Sequence, residues 1–595
     1  MSLSSLPIPR VPWQMTGNHW LALPCIHPAS GAVHAVGLVH RGTRSAIEFA
    51  GGAGFANGDG PPLLRPVIEI DGVERGFADA PMAWERALGW LPTFTCQMGP
   101  VLVRGTVFAP FGRDADVAGA VYAISVESRS DAGTAVRVAL DGTLGHRQLR
   151  VRTPRPFVDE HRLTQAGDVV LLDGTAEPGL VTLAVGADGD AEIVIEPGSA
   201  PRFTIRRAFT LAPGAREQVA FYVAAGPERD GAQASVRVLR RRGWRELLAG
   251  TRDALQSLAQ STGSEAMDGL INRNLLFSYF YGVGRGLDDA HYYLMRTRVP
   301  WHGAGVTVQD WQALMWTVPA VQLGDPALAR ELILRACELH GYAPGRGVNY
   351  LDGTLFEAGF SLEGAAAYPL AAERYIRDTN DDRIVEEPVL ADTLYAAHDE
   401  LSARRDRDWP LYSGEVGPSG EPLAHPFSLH GNAVVAQALD VLRRTLDEES
   451  AREVQEPEAV RAALLRHFLK SRGGTQVLAS SIDMAGGASL DDDPAGSALW
   501  LPLYETLGRH DSNYRRTAKA VAAGVPELVQ CCARLIGPES SAALAWLRRA
   551  PLDGGLAAEY VDADGRATGN GGDASLSGLL AWTVWYAVHV LGERP

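Results

Sequence analysis

Residues 310–341 read DWQALMWTVPAVQLGDPALARELILRACELHG, two helical segments of opposite character joined by Gly324 and Asp325. In the first, WQALMWTVPAVQLG, apolar residues run nearly all round a 3.6-residue period. A helix of that kind has no face for water and must be buried on every side. The second, PALARELILRACELHG, has one apolar stripe and one charged face, so it covers something and meets solvent. A buried helix paired with a covering helix through a two-residue link is half of a two-layered helical architecture.

The same alternation recurs along the C-terminal part of the chain. Apolar periodicity predicts twelve helices, at 264–284, 308–323, 326–341, 361–378, 387–405, 427–446, 458–471, 494–508, 511–523, 525–537, 538–549 and 574–592. Odd-numbered members such as PVLADTLYAAHDELSARR and PEAVRAALLRHFLKSR are amphipathic. Even-numbered members such as LSGLLAWTVWYAVHVLG are apolar nearly all round. Six outer–inner pairs describe an (α/α)6 barrel. Links from inner to outer helices are short, whereas 285–307, 342–360, 406–426, 472–493 and 550–573 are long and rich in Gly, Pro, Asp and Glu. Because the pairs repeat, these long loops emerge at one end, where function is expected.

Before residue 240 the pattern is different. AVHAVGLVHRG, LRPVIEIDGVERGF, GAVYAISVESRSDAGTAVRVAL and EIVIEPGS are alternating runs broken by turns, the signature of antiparallel strands in a large sandwich. The period changes to helical around RVLRRRGWRELLAGTRDALQSLAQ. The expected organisation is a β-sandwich over 1–238, a linker helix over 239–262 and a helical barrel carrying catalysis over 263–595.

Bulk composition narrows the function classes. The chain has 595 residues, 46% hydrophobic and 21% charged, with a net charge of −16. That balance disfavours nucleic acid, which needs clustered Lys and Arg. The opening MSLSSLPIPRVPW has no apolar signal core, and no run is long enough to cross a bilayer. Cys25, Cys96, Cys337, Cys531 and Cys532 form neither a disulfide framework nor a zinc pattern, so reduced thiols in a cytoplasmic protein are expected. GGAGFANGDG lacks the Lys-Ser/Thr of a phosphate loop. LDDDPAGSALW (490–500) and DADG (562–565) lack the EF-hand spacing and read as structural. No HExxH motif or His cluster points to a metal, and no organic cofactor is called for.

Acids gather in the long loops. VTVQDWQALMW brings Asp310 and Trp311 to the start of an inner helix, as a cap-region acid or a sugar ligand. LYSGEVGPSGEP (411–422) carries Glu415 and Glu421 beside Trp409 and Tyr412. PLDGGLAAEYVDADGRATGNGGDAS carries Glu559 beside Tyr560, and FSLEGAAAYPL places Glu363 at another inner-helix start. Two carboxylates converging from distant loops suit glycosidic-bond cleavage, one protonated for the leaving oxygen and one ionised to activate water. The inverting geometry separates them by roughly 6.5–9.5 Å. Trp311, Trp409, Tyr412 and Tyr560 supply rings that stack on sugars.

These motifs resemble the six-hairpin glycosidases: glucoamylase-like enzymes, the glucosidase part of glycogen-debranching enzymes, and metal-independent α-1,6-mannosidases. VRGTVFAPFGRDADVAGAVYAISVESRS looks like their sandwich, and DWQALMWTVPAVQLGDPALARELI with YLDGTLFEAGFSLEGAAAYPLAAERYI is similar to the first hairpins of the debranching-type group. DDDPAGSALWLPLYETLG resembles another of their loop-plus-inner-helix segments. YSGEVGPSGEPLAHPFSLHGNAVVAQAL looks like the mannosidase stretch whose acid follows Pro-Ser, which implies that Glu421 is the general acid. Glucoamylase-type spacing favours Glu415 instead. Glu559, ahead of the last apolar helix, matches the general base. The chain departs from the group at Gln309-Asp310-Trp311-Gln312, where relatives often carry Asp-Arg-Asp.

The resemblance implies an inverting hydrolase releasing sugar from the non-reducing end of an α-linked oligosaccharide, most of all an α-glucoside. Burial and nearby carboxylates would hold the proton on Glu421. Asp310, Trp311, Glu363, His430 and Asn432 would hold the terminal sugar. The alternatives are an inverting phosphorylase with a single acid, a non-catalytic carbohydrate-binding protein, or a lyase or epimerase using Tyr412, His425 and His430. The expected partner is an oligosaccharide or glycoside, with a homodimer as a further expectation.

Overall fold

A computed structural model describes residues 11–595 apart from 53, 55–57, 59, 78–79, 114–116, 150–160, 175–180, 492, 522–526, 553 and 569–570. The adjoining ends of the expected helices at 511–523 and 525–537 lie outside the described residues. The chain forms two compact units. One is built from residues up to Ala259 with Val283–Tyr292 and Arg298–Val306, the other from Gln260–Gly282, Tyr293–Thr297 and Thr307–Pro595.

The first unit is antiparallel β. Its eight-stranded sheet is centred on Val101–Phe108, Gly119–Ser128 and Arg216–Gly226, and two five-stranded sheets are built around Ala35–His40 and around Thr134–Thr143. Thr134–Thr143 pairs along its whole length with Arg202–Leu211. Alternate residues of Leu64–Ile70 and Val101–Phe108 turn inward, the period-2 pattern of a strand with one buried face. Their apolar side chains join one core with Phe94, Ile124, Leu140 and Phe221. Helical structure begins at Arg229, ahead of the expected 239, as two helices, Arg229–Arg242 and Trp244–Leu258, broken at Gly243 with φ 81°.

The second unit is helical. Asp310–Gln312, Ala313–Thr317 and Val318–Gly324 form one inner segment, followed by Leu362–Thr379, Leu429–Thr445, Pro494–Trp500, Leu528–Ile536 and Ala574–His589. Each of these packs on the next, and the last packs on the first. Outside them lie Glu265–Tyr281, Pro326–His340, Pro388–Ala403, Pro457–His467, Ser512–Val521 and Ser540–Leu547. The apolar Ala574–His589 is buried along most of its length, as a helix without a polar face must be. Among the described residues no helix is long and apolar enough to cross a membrane.

Two local features depart from the sequence expectation. The helix expected at 494–508 is replaced by two 3-10 turns, Pro494–Gly496 and Ala498–Trp500, and further turns. Pro502 has no N–H to continue a helix, and Glu505 takes a positive φ of 53°. Within 310–324, Ala313–Thr317 is π-helical, with the Val318 N–H bonded to the Ala313 carbonyl. Pro319 follows at once. It cannot donate to the turn before it, and the wider turn accommodates its ring.

The loops leading into the inner segments are interlaced, which places them at one end. Val308–Gln309 pairs with Gly347–Asn349, which pairs with Leu355–Ala358. Phe427–Ser428 pairs with Ser481–Ile482. Glu527 bridges to Tyr560, and the Ser575 N–H donates to the Arg296 carbonyl.

Candidate functional site

The stretch LYSGEVGPSGEP is a hairpin. The Gly420 N–H donates to the Gly417 carbonyl, and the Gly417 N–H donates to the Glu421 carbonyl, closing the tip around Pro418 and Ser419. Gly420 sits at φ 86°, the left-handed residue that such a three-residue loop requires. The tip is tethered twice more: Gln309 Nε2 donates to the Pro418 carbonyl (3.2 Å), and Ser419 Oγ donates to Asp493 Oδ2 (3.1 Å).

The two glutamates of the hairpin have different surroundings. Glu415 accepts from the Phe360 N–H (3.0 Å) and from Arg404 (2.8 Å), and these bonds hold its carboxyl below the usual range. It staples two loops together. Glu421 is exposed, contrary to the expectation that burial would hold its proton. The reason is its place on the returning arm of the hairpin, beyond the tethered tip.

Glu559 is half-buried; its carbonyl accepts from the Leu528 N–H, but its carboxylate receives no hydrogen bond from another described residue. Burial raises its pKa, Arg296 opposes that shift, and Asp573 adds to it. Arg296 is itself paired with Asp573 at 2.7 Å, and Asp573 caps Ala574–His589 by accepting from the Leu576 N–H. Beside Glu559, the Tyr560 ring is 41% exposed and so can be presented to a ligand. The Tyr560 phenol is pushed up by the charges of Glu559, Glu527 and Glu421, with a burial contribution after that of Glu559. Carboxylates from three loops therefore act on one phenol.

A second cluster is buried at the starts of the inner segments. Glu363 Oε1 lies 2.9 Å from His430 Nδ1, and Ser361 Oγ donates to Glu363 Oε2 at 3.1 Å. The rings of Trp311, His430 and Tyr504 meet edge-on or tilted, with centroids 5.3–6.2 Å apart. His430 Nε2 and Trp311 Nε1 are buried without hydrogen-bond partners among the described residues. Such groups are costly to leave unmade and are suited to ligand hydroxyls.

Asp310 serves neither as a cap nor with both oxygens free. It accepts from the Gly345 N–H (3.0 Å) and from the Tyr368 hydroxyl (2.9 Å), while burial lifts its pKa to about 6. Asn432 is committed to the fold: it accepts from the Tyr412 N–H and donates to the Tyr412 and Ser428 carbonyls. Tyr412 is buried with its hydroxyl toward Gln455, so its ring is not open for stacking. Trp409 is 39% exposed and packs edge-on against His467. His425 lies near Asp483.

Sequence reasoning missed two acids. Asp493 accepts from Ser419 and from the Ala495 N–H, and burial raises its pKa, with His430 opposing and Glu363 adding. Glu527 is raised by burial and then by Glu559 and Asp493. Glu527 immediately precedes an inner helix, the same signal that singled out Asp310 and Glu363. Among the described residues no group of three or more His, Cys, Asp or Glu is arranged to hold a metal ion. Asp562 instead accepts from the N–H groups of Asp564 and Arg566 in a local turn.

No protein-family model matches the chain, and no curated protein does. Solved structures do. A bacterial glucoamylase complexed with acarbose aligns with TM-score 0.63 and 11% identity over 99% of this chain and 96% of that one. A protein from the human microbiome described as a kojibiose phosphorylase aligns with TM-score 0.60 and 10% identity over 96% and 86%. A metal-independent alpha mannosidase from Streptococcus pneumoniae aligns less closely, at TM-score 0.45 and 13% identity over 59% and 98%. The chain has the fold of six-hairpin glycosidase-type enzymes.

Proposed function

We propose that the chain is an inverting glycoside hydrolase whose helical unit is an (α/α)6 barrel, with the 3-10 turns at Pro494–Trp500 standing for one inner helix. The substrate is the non-reducing end of an α-linked oligosaccharide or glycoside, an α-glucoside in the first instance. Glu421 gives the leaving oxygen its proton, and Glu559 takes the proton of the attacking water. One observation carries this reading: the charges of Glu421 and Glu559, from separate loops, both act on the Tyr560 phenol, and the Glu559 carboxylate accepts no hydrogen bond from a described residue. His430 Nε2, the accepting nitrogen of a ring whose Nδ1–H faces Glu363, takes a hydrogen bond from a hydroxyl of the terminal sugar, and Tyr560 packs against the departing one.

Phosphorolysis is less well served by this site. Burial and then the like charges of Glu559 and Asp493 raise the pKa of Glu527, and the same charges repel a phosphate dianion. The test is a screen of α-linked disaccharides and oligosaccharides, with and without phosphate, with the first product anomer followed by NMR. The expected result is a phosphate-independent release of the inverted, β-configured sugar. Release of the α-anomer first removes the inverting scheme, and an absolute need for phosphate makes the enzyme a phosphorylase.

A further inference from the structure

A small cavity of about 10 Å³ lies among the inner segments of the helical unit, room for one water-sized body. Its lining includes Trp311, Trp316, Arg374, Tyr504, Leu579 and Trp582, and no lining residue is acidic. Arg374 is 7% exposed and makes no ion pair among the described residues. Its Nη1 is buried without a hydrogen-bond partner, as is Trp311 Nε1. The guanidinium stacks over the Trp582 ring, 4.6 Å from the centroid.

A buried guanidinium is a problem for the fold. The ring below offsets part of the desolvation, but cation–π attraction is weaker than the solvation lost. Among nearby charges, Arg377 repels it, and Asp378 is already engaged by Arg377 and Gln322. Burial, then Arg377, lowers the Arg374 pKa to about 10, which still leaves it charged at neutral pH. The unmade polar groups named here, Nη1 and the indole N–H, are donors only. Water, which must also donate, meets few acceptors here. A halide accepts from every side and needs no acceptor; chloride, somewhat larger than water, needs far less room than a carboxylate or phosphate.

We propose that this cavity is a binding site for a small monovalent anion, chloride above others, held by Arg374 and Trp311. The anion joins residues from four inner segments, 310–324, 362–379, 494–504 and 574–589, so its main effect is on stability. The site shares Trp311 and Tyr504 with the buried Glu363–His430 cluster and does not depend on the assignment of Glu421 or Glu559.

The full-length protein is dialysed into sodium gluconate and titrated with sodium chloride or bromide at constant ionic strength while Tm is followed. The expected result is a saturating rise of a few degrees with either halide, absent in Arg374→Met. A crystal grown in bromide should show an anomalous peak beside Arg374. Coincident Tm curves for chloride and gluconate in the wild-type protein, or no anomalous peak in the cavity, overturn the proposal. If Arg374→Met does not fold, these two wild-type measurements still decide.

Discussion

Glu559→Gln separates a catalytic role from a structural one. The change is isosteric and removes only the charge. No described residue donates to this carboxylate, so the amide strands no partner. A positioned general base contributes roughly 10²–10⁴-fold, which is about 3–5 kcal/mol at about 1.36 kcal/mol per tenfold. The expected kcat therefore falls by about that factor while KM stays within a few-fold, measured as sugar release from an α-linked oligosaccharide. Stability should move the other way. The folded pKa of Glu559 is raised, so between its ordinary and its folded pKa the native state binds more protons than the unfolded chain. Its contribution to stability is then lost as pH rises through that window. At neutral pH the ionised carboxylate costs stability, and Gln removes the cost, so the variant should melt at or above the wild-type temperature. Activity retained within tenfold, or a clear fall in Tm, refutes the reasoning.

Glu415→Gln should leave kcat within about threefold and cost about 1 kcal/mol or less in denaturant unfolding, because its ion pair with Arg404 is solvent-screened; Glu421→Gln should lose 10²-fold or more by the same assay. Asp310→Asn probes a carboxyl raised from 3.8 to about 6. With the sign as for Glu559, wild-type stability relative to the variant should fall by about 3 kcal/mol as pH rises from roughly 4 to 6.5, and a flat difference contradicts the burial argument. Asn432→Ala removes one acceptor and two donor bonds inside the fold and should destabilise by about 3 kcal/mol; a loss below about 1 kcal/mol in urea unfolding means the loop is held by other contacts.

Local pattern made the elements legible. Pro326–His340 and Ala574–His589 were readable because an apolar stripe and an apolar cylinder have different periodicities, whatever surrounds them. Strands such as Thr134–Thr143 were readable by alternation. The segment 494–508 was not, since its apolar content suits burial in either conformation, and Pro502 weighs against a helix only once the neighbouring inner segments fix where the chain must go. Long-range hydrogen bonding was hidden too. Glu415 and Glu421 lie six residues apart on one hairpin, yet Phe360 and Arg404 hold the first, and the charge of the second acts on Tyr560.

The amino-acid order by itself determined the β unit followed by the helical one, the alternation of buried and covering helices, and the clustering of acids in the long connections, because each depends on periodicity or composition within a short window. Tertiary structure alone decided which acids are stapled and which are free, that Asp493 and Glu527 join the group, and that Arg374 is enclosed without a carboxylate. Those outcomes depend on desolvation and on partners distant along the chain, and both arise only when the inner segments pack together.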